Sequence, residues 1–187
     1  MGQELKLISK IPPSVNHYLG HRAIVKNGKP MSVDYCTQEA KRYKKWFAAY
    51  VAAEAASQGW INLGRQQHIY ADAVFYFPRV DMDSNNYWKC MLDAITDSGM
   101  VWDDDNIVCE RTMGIYYNGS DPHVELTIHP VGYKGIFGDI SQLEAFEANC
   151  VGCKRYTRNC SLLAKAKAGQ MQEEISGGVC SSYKEKV

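Results

Sequence analysis

In this 187-residue chain, the residues HIYADAVFYFPRVDMDSNNYWKCMLDAITDSGMVWDDDNIV, numbers 68–108, give the clearest indication of the architecture. This segment opens with His68–Phe77, which is rich in β-branched and aromatic side chains and ends at a proline, a pattern that predicts a strand. A helix with one apolar face is predicted to follow, with an N-cap on Asn85 or Asn86 and an end at Gly99. The buried face of that helix is expected to consist of the apolar residues at three- and four-residue spacing, Trp88, Met91, Leu92 and Ile95.

Acidic residues lie on both sides of the predicted helix. Asp81 and Asp83 precede it, the run Asp103–Asp105 follows it, and Lys89 lies between the two clusters. Crowded carboxylates repel one another unless a cation compensates them, and ligation by oxygen atoms alone favours a hard ion such as Mg²⁺ or Mn²⁺. The pattern therefore predicts a divalent metal site, although an acidic run after a glycine is also typical of a solvated turn.

The remaining pattern up to Gly132 predicts a mixed sheet with helices. Polar–apolar alternation predicts a strand over Glu4–Lys10, and an Asn-Gly pair predicts a two-residue hairpin within Ala23–Val33. A helix capped by Asp34 is expected to extend to Gly59. Two later strands are predicted, Asn106–Tyr117 and His123–His129. The predicted class is α+β, a two-layer domain with a mixed β-sheet and helices packed on one side.

Composition and charge narrow the possible functions. The chain is 45% hydrophobic and 22% charged, contains no apolar tract of transmembrane length, and begins without the apolar segment of a signal peptide, so a cytoplasmic location is expected. The net charge of zero argues against a general polyanion binder.

The charge is unevenly distributed, however. Residues 22–45 contain seven Lys or Arg and two acidic residues, whereas residues 81–105 contain seven aspartates and one lysine. A basic segment beside an acidic pocket is typical of a metal-dependent nuclease, in which cations bind phosphates and carboxylates hold the metal. The cations predicted to contact a DNA backbone are Arg22, Lys26, Lys29, Lys41, Lys45 and Arg79. For Lys41 and Lys45, the solvated face of a helix is an equally good interpretation.

The acidic clusters and the helix between them resemble the core of RusA-type Holliday-junction resolvases, a family of phage and bacterial endodeoxyribonucleases. The family has Asp-x-Asp-Asn, then a helix with a lysine followed by Leu-Asp-Ala-Leu, a glycine and a paired Asp-Asp. The matching residues here, in the same order, are Lys89, Leu92-Asp93-Ala94-Ile95, Gly99 and Asp103-Asp104. The N-terminal Pro-Pro-Ser-x-Asn of the family also occurs, as Pro12-Pro13-Ser14-Val15-Asn16. The resemblance covers about residues 3–131.

The resemblance implies a Mg²⁺-dependent endonuclease that resolves Holliday junctions or other branched DNA in recombination and repair. It also implies a homodimer in the cytoplasm of a bacterial or phage-infected host cell, without a membrane partner. The catalytic residues that it implies are Asp81, Asp83, Lys89 and Asp104. The aspartates would hold Mg²⁺ or Mn²⁺, with Asp103 as the substitute ligand. A non-catalytic protein that binds branched DNA is the main alternative, and a metal-dependent phosphohydrolase of small molecules is a third.

One departure from the family pattern leaves the alignment open. The family usually has its lysine four residues after the second aspartate, whereas Lys89 follows Asp83 by six. Either Asp81 and Asp83 are the family pair, followed by a two-residue insertion, or Asp83 and Asn85 occupy the two places and Asn86 matches the family asparagine. We favour the first alignment, because asparagine offers a metal only a neutral oxygen.

The character of the chain changes after Gly132, which predicts an endonuclease-like domain over residues 1–132 and a cysteine-rich tail over residues 133–187. Four of the seven cysteines lie in the tail, Cys150, Cys153, Cys160 and Cys180. A Cys-x2-Cys pair lets two thiolates reach one ion, and thiols are expected to stay reduced without secretion. We therefore predict a small metal-stabilised tail that binds Zn²⁺, with an iron–sulfur cluster and uncoordinated thiols as the alternatives.

Overall fold

The structure is a computed structural model that describes residues 3–65 and 67–186. It divides into two compact units, Met1–Pro130 and Val131–Val187, with the division two residues before the predicted boundary. In chain order, the helices and strands of the first unit are β1 (Leu5–Lys10), α1 (Val15–Tyr18), β2 (Leu19–Lys26), β3 (Lys29–Cys36), α2 (Gln38–Ser57), β4 (Ile69–Phe77), α3 (Trp88–Asp97), β5 (Val108–Tyr117) and β6 (His123–Pro130). Short 3-10 turns cover Ser84–Asn86 and Asp105–Ile107.

A four-stranded mixed sheet in the order β1-β6-β4-β5 forms one layer of the first unit. Its β4 and β5 strands are parallel, and its other neighbours are antiparallel. Parallel neighbours need a crossover connection, and α3 provides it between β4 and β5. The two acidic clusters therefore lie in the two connections that flank a single crossover helix.

Helices cover one face of this sheet. Alternate residues of β4 from Ile69 to Phe77 are buried, and the residues between them are half-buried. The buried face packs against α2 and α3, and α3 contributes the predicted apolar residues Trp88, Met91, Leu92 and Ile95. Burying each such side chain stabilises the fold by about 1.5–3 kcal/mol. The prediction of an α+β two-layer domain is confirmed. None of the helices in residues 3–65 and 67–186 is both long and apolar enough to form a transmembrane segment.

The α2 helix begins three residues later than predicted. Thr37 is its N-cap, and the Oγ1 of Thr37 accepts the N–H of Ala40 at 3.2 Å. The predicted cap, Asp34, lies within β3, because the pairing of β2 with β3 extends to Cys36. The hairpin is longer than predicted from its Asn-Gly turn, and the helix therefore starts later along the chain.

The β2 and β3 strands form a two-stranded ribbon that is separate from the main sheet. Its turn has positive φ angles of 53° at Asn27 and 73° at Gly28, as the predicted two-residue hairpin requires. The two ends of the ribbon meet at α1, where Thr37 donates its N–H to the Tyr18 carbonyl at 3.0 Å and its hydroxyl to the His17 carbonyl at 2.7 Å. Most side chains of the ribbon are exposed. The ribbon is therefore stabilised by the pairing of its two strands and by the Thr37 hydrogen bonds at its base, where it meets α1.

The second unit contains α4 (Ile140–Val151), α5 (Leu162–Lys167) and a short hairpin of β7 (Ile175–Ser176) and β8 (Val179–Cys180). Its buried apolar cluster consists of Phe137, Phe146 and Ala166, with partly buried side chains around them. So small a core supplies little of the free energy that orders a unit of this size, and small domains usually add a metal or a cross-link.

Candidate active site

Lys89 joins two elements of the candidate site. Its Nζ lies 2.7 Å from Oδ1 of Asp93, four residues later, a spacing at which side chains of a helix are neighbours. The same nitrogen lies 3.2 Å from Oδ2 of Asp105, in the turn before β5. The pKa of Lys89 is raised by its hydrogen bond to Asp93, against an opposing effect of partial burial, and the contact with Asp105 raises it further. Lys89 is therefore a cation shared by two carboxylates.

Asp93 is also held from α1. The hydroxyl of Tyr18 donates a hydrogen bond to Oδ2 of Asp93. Burial raises the pKa of Tyr18, and the hydrogen bond and charge of Asp93 raise it further, so the phenol remains a donor. Tyr18 follows the Pro-Pro-Ser-x-Asn segment at residues 12–16, and its N–H donates to the Ser14 carbonyl at 2.8 Å. The two sequence motifs therefore meet at Asp93, which positions Lys89.

Glu110, on β5, adds a third carboxylate near the lysine. The strand register aligns Glu110 with Ala71, whose side chain lies on the helix-covered face of the sheet. The pKa of Glu110 is raised, first by partial burial and then by the charge of Asp105, while Lys89 lowers it. The single positive charge of Lys89 does not neutralise the three carboxylates of Asp93, Asp105 and Glu110. A divalent ion would stabilise this cluster of carboxylates.

Asp81 and Asp83 lie in the connection between β4 and α3. Asp81 is exposed and forms an ion pair with Arg79 at 3.3 Å. Asp83 accepts the N–H of Asn85 at 3.0 Å and so caps the 3-10 turn that precedes α3. The N-cap position of α3 itself is Tyr87, which makes no side-chain capping hydrogen bond, so the predicted cap on Asn85 or Asn86 is wrong. The two asparagines lie inside the 3-10 turn, where Asp83 has the extended backbone of a cap residue (φ −101°, ψ 118°).

A contact between side chains brings the turn after Asp83 against β5. The hydroxyl of Ser84 lies 3.5 Å from the hydroxyl of Thr112. Thr112 and Glu110 are two residues apart on the same strand, so their side chains share one face of it. The turn after Asp83 and the carboxylate of Glu110 therefore lie along the same edge strand.

The three aspartates before β5 have different partners. Asp103 accepts a hydrogen bond from the side chain of Asn62 at 3.2 Å. Asp104 lies 3.9 Å from the guanidinium of Arg65. Asp105 is the one that contacts the lysine of α3. The structure thus separates the three side chains, and Asp105, rather than the predicted metal ligand Asp104, lies closest to that lysine.

A bound metal ion needs several oxygen atoms arranged around one point. In the described part of the chain, no group of three or more His, Cys, Asp or Glu side chains surrounds one point closely enough to hold an ion. The donors are nevertheless all carboxylates, the ligands that Mg²⁺ and Mn²⁺ prefer, and Lys89 compensates only part of their charge. The donor set fits a hard divalent ion, and binding would draw the carboxylates closer together.

Three residues of this site were not predicted. Asp105 belongs to the predicted acidic run, but the ligand predicted from that run was Asp104. The contact with Lys89 favours Asp105, one residue later. Tyr18 and Glu110 carry no local signal, because Tyr18 contacts α3 over a separation of 75 residues and Glu110 depends on the pairing of β4 with β5.

The cations predicted to contact DNA lie in three places, and all are exposed. The ribbon carries Arg22, Lys26 and Lys29, α2 carries Lys41 and Lys45, and the connection after β4 carries Arg79. At the tip of the ribbon, the register places Lys26 directly opposite Lys29. Like charges at paired positions destabilise a hairpin, and a bound phosphate would remove that repulsion.

The cysteines and cations of the tail line two cavities of the second unit. Cys150, Cys153, Cys160 and Cys180 all line a cavity of about 300 Å³, and all four are free thiols. The residues of a second, polar cavity are Lys154, Arg155, Arg158, Asn159 and Lys184.

The family model of endodeoxyribonuclease RusA matches residues 11–129, which is more than half of the chain and includes every candidate residue of the acidic site. No curated protein matches the chain. The matched region begins before the Pro-Pro-Ser-x-Asn segment and ends within β6, so it contains both motifs that meet at Asp93. The chain therefore belongs to the RusA endodeoxyribonuclease family.

Proposed function

We propose that the chain is a Mg²⁺-dependent endodeoxyribonuclease that cleaves Holliday junctions or other branched DNA in recombination and repair. The observation that carries this proposal is the contact of Lys89 with both Asp93 and Asp105, which joins the helix motif to the acidic turn. Membership of the RusA family supports the reaction class, hydrolysis of a phosphodiester in DNA. A cytoplasmic setting, in a bacterium or a phage-infected host cell, is part of the proposal.

The residues proposed to hold Mg²⁺, or Mn²⁺ in its place, are carboxylates on both sides of α3. Asp81 and Asp83 come from the connection before it, and Asp105 and Glu110 come from the connection after it and from β5. Asp104 and Asp103 are the substitute ligands in the second connection. When bound, such an ion lowers the pKa of an attacking water and stabilises the departing oxygen.

Lys89 supplies the positive charge that the chain itself contributes. Its ammonium group is held by Asp93, which in turn accepts the hydroxyl of Tyr18, so its position is fixed before DNA binds. A fixed cation stabilises the negative charge that develops on the phosphate during hydrolysis. We assign Lys89 this role, and Asp93 and Tyr18 are positioning residues.

The ribbon of β2 and β3 is proposed to bind the DNA backbone next to the site. It begins directly after Tyr18, the residue that contacts Asp93, so its base lies beside the lysine of α3. Arg22, Lys26 and Lys29 give it a positive surface that suits phosphates rather than particular bases.

We further propose that the chain acts as a homodimer. A four-way junction has two-fold symmetry, and a C2 dimer presents one site to each of two opposing strands.

The second candidate function is binding of branched DNA without cleavage. It is favoured by one observation, that no three carboxylates of the described residues surround a common point. In this case the two additional residues between Asp83 and Lys89 would have separated the ligands of the family's metal site.

The experiment that separates the two candidates uses a labelled four-way junction and a linear duplex of the same sequence, with Mg²⁺, with Mn²⁺ and with a chelator. We expect paired, symmetric cuts in the junction with either metal, and none in the duplex or with the chelator. A variant with Asp83→Asn, purified in parallel, controls for contaminating nucleases. Junction binding without cleavage in either metal would establish the second candidate instead.

The alignment of the first acidic cluster has its own test. If Asp81 and Asp83 both bind the metal, Asp81→Asn loses cleavage and Asn85→Ala keeps it. The opposite result would assign the family positions to Asp83 and Asn85, and the current alignment would be wrong.

A further inference from the structure

The second unit lies beyond the family match, which ends at residue 129, so the proposed nuclease function does not account for it. Its most unusual feature is the concentration of cysteine. Four of the seven cysteines of the chain fall within residues 150–180. They come from four separate places, the last turn of α4, the loop after it, the segment before α5, and β8.

These four positions converge in the fold. The side chains of Cys150, Cys153, Cys160 and Cys180 line the same cavity of about 300 Å³, although up to thirty residues separate them in the chain. No pair forms a disulfide. Cys150 and Cys180 also pack against the unit's buried cluster of Phe137, Phe146 and Ala166, but Cys153 and Cys160 do not belong to it. Apolar packing therefore does not explain why all four cysteines line one cavity.

The backbone around Cys153 supports a ligand role for its sulfur. The N–H of Lys184 donates to Sγ of Cys153 at 3.4 Å. An N–H group directed at sulfur stabilises the thiolate form, which is the form that binds metals. The last residues of the chain fold back to make this contact, and the N–H of Lys154 donates in turn to the Lys184 carbonyl at 2.7 Å.

We propose that Cys150, Cys153, Cys160 and Cys180 hold one metal centre through four thiolates, with Zn²⁺ as the occupant. Four sulfur donors, of which two belong to a Cys-x2-Cys pair, form a closed tetrahedral site of the structural kind. An iron–sulfur cluster uses the same four thiolates, and the identity of the metal distinguishes the two. The sulfurs do not yet surround one point, so binding draws them inward from the wall of the cavity, which rotation about each Cα–Cβ bond permits.

The centre would give the second unit the stability that its small apolar cluster lacks. Because metal binding is coupled to folding in such units, removal of the metal should release the segment that returns across Cys153. It should leave the first unit folded, since none of these four residues belongs to it.

The test uses the full chain, purified under reducing and anaerobic conditions. Elemental analysis is expected to find one zinc per chain in a colourless protein, and modification of the thiols should release that zinc. Iron with inorganic sulfide in a brown protein would support the same four-thiolate centre with a cluster in it. Absence of any metal, together with no thiolate-to-cobalt absorption when Co²⁺ is added, would overturn the proposal.

Variants assign the ligands. Cys150→Ser, Cys153→Ser, Cys160→Ser and Cys180→Ser should each lower the metal content, and Cys36→Ser is the matched control because Cys36 lies at the end of β3 in the first unit. Full metal content in any of the four ligand variants would remove that residue from the site, and full content in all four would overturn the proposal. If a variant is insoluble, Co²⁺ titration of the wild-type chain in competition with Zn²⁺ still decides whether a tetrathiolate site exists.

Discussion

Lys89 lies 3.2 Å from Asp105, sixteen residues further along the chain, while it keeps its 2.7 Å contact with Asp93 in the same helix. The contact with Asp105 joins the connection between α3 and β5 to α3 itself, the helix that lies between the two acidic clusters. It also sets the charge of the site, because a single ammonium group serves two aspartates, and Glu110 stands near both Lys89 and Asp105. An additional positive charge, from a metal ion, is therefore what the site needs when a phosphate arrives.

Replacing Lys89 should reduce the rate of the reaction more than the affinity for DNA. Lys89→Gln removes a fixed cation near the phosphate and is expected to slow junction cleavage about a hundredfold, as loss of one preorganised donor does elsewhere. Single-turnover cleavage and junction binding should be measured side by side. Lys6→Gln is the matched control, an exposed lysine that pairs with Glu4 at 3.1 Å on β1. Equal losses of cleavage in both variants would remove the assigned role.

The acidic turn offers a choice between adjacent aspartates. Asp105→Asn should abolish cleavage, as should Asp83→Asn, and both should keep most of the affinity for junctions, because the proposed phosphate contacts lie elsewhere. Asp104→Asn should retain more activity than Asp105→Asn, since Asp104 lies near Arg65 rather than Lys89. Cleavage rates over a Mg²⁺ titration check this, with Asp121→Asn, in an exposed turn, as the control. An inactive Asp104→Asn beside an active Asp105→Asn would restore the assignment made from the motif order.

The fold was predictable wherever a local pattern determines it. The apolar spacing of α3 and the Asn-Gly turn of the ribbon each encode their own geometry, and both predictions hold. The caps at Asp34 and at Asn85 or Asn86 failed because the choice of cap depends on where the preceding strand or turn ends. That end is set by pairing and packing, not by the capping residue.

The candidate site was predictable only in part, for a related reason. Its lysine and its two acidic clusters are close in sequence, so the motif revealed them. The contributions of Tyr18 and Glu110 arise from a contact over 75 residues and from the register between β4 and β5. Neither relation leaves a periodic signal in the sequence, and so only the folded chain shows which groups surround Lys89.

Glu110 should make stability depend on pH in a defined direction. Partial burial and the charge of Asp105 raise its pKa above the ordinary value of 4.5, so the folded state favours the protonated form. The stabilising contribution of Glu110 is complete below about pH 4.5 and is lost as the pH rises through its folded pKa. At pH 7 the ionised side chain is therefore unfavourable. Because Glu110 is exposed and solvent screens its charge, Glu110→Gln should raise the free energy of unfolding by at most about 0.5 kcal/mol.

The measurement is urea unfolding of the wild type and of Glu110→Gln at several pH values in a chelating buffer. The difference between them should shrink towards pH 4 and should also shrink when Mg²⁺ is added at pH 7, if the ion binds near this carboxylate. Glu4→Gln serves as the control, because Glu4 is exposed and pairs with Lys6, and it should give no gain at pH 7. A loss of stability in Glu110→Gln at neutral pH would contradict an unfavourable environment for the ionised side chain.

The ribbon tip should contribute a measurable share of the salt dependence of DNA binding. Lys26 and Lys29 lie opposite each other and are exposed, so two phosphate contacts are expected to disappear in the double variant Lys26→Ala, Lys29→Ala. Each contact releases about 0.9 counterion from duplex DNA, and the slope of log affinity against log salt should fall by about 1.8. The thermal stability of the variant should not decrease, because the substitution removes a like-charge pair. The control is Lys6→Ala, Lys165→Ala, which removes the same charge from β1 and α5. If the two double variants change the slope equally, the effect is one of net charge, and the ribbon does not contact the DNA backbone.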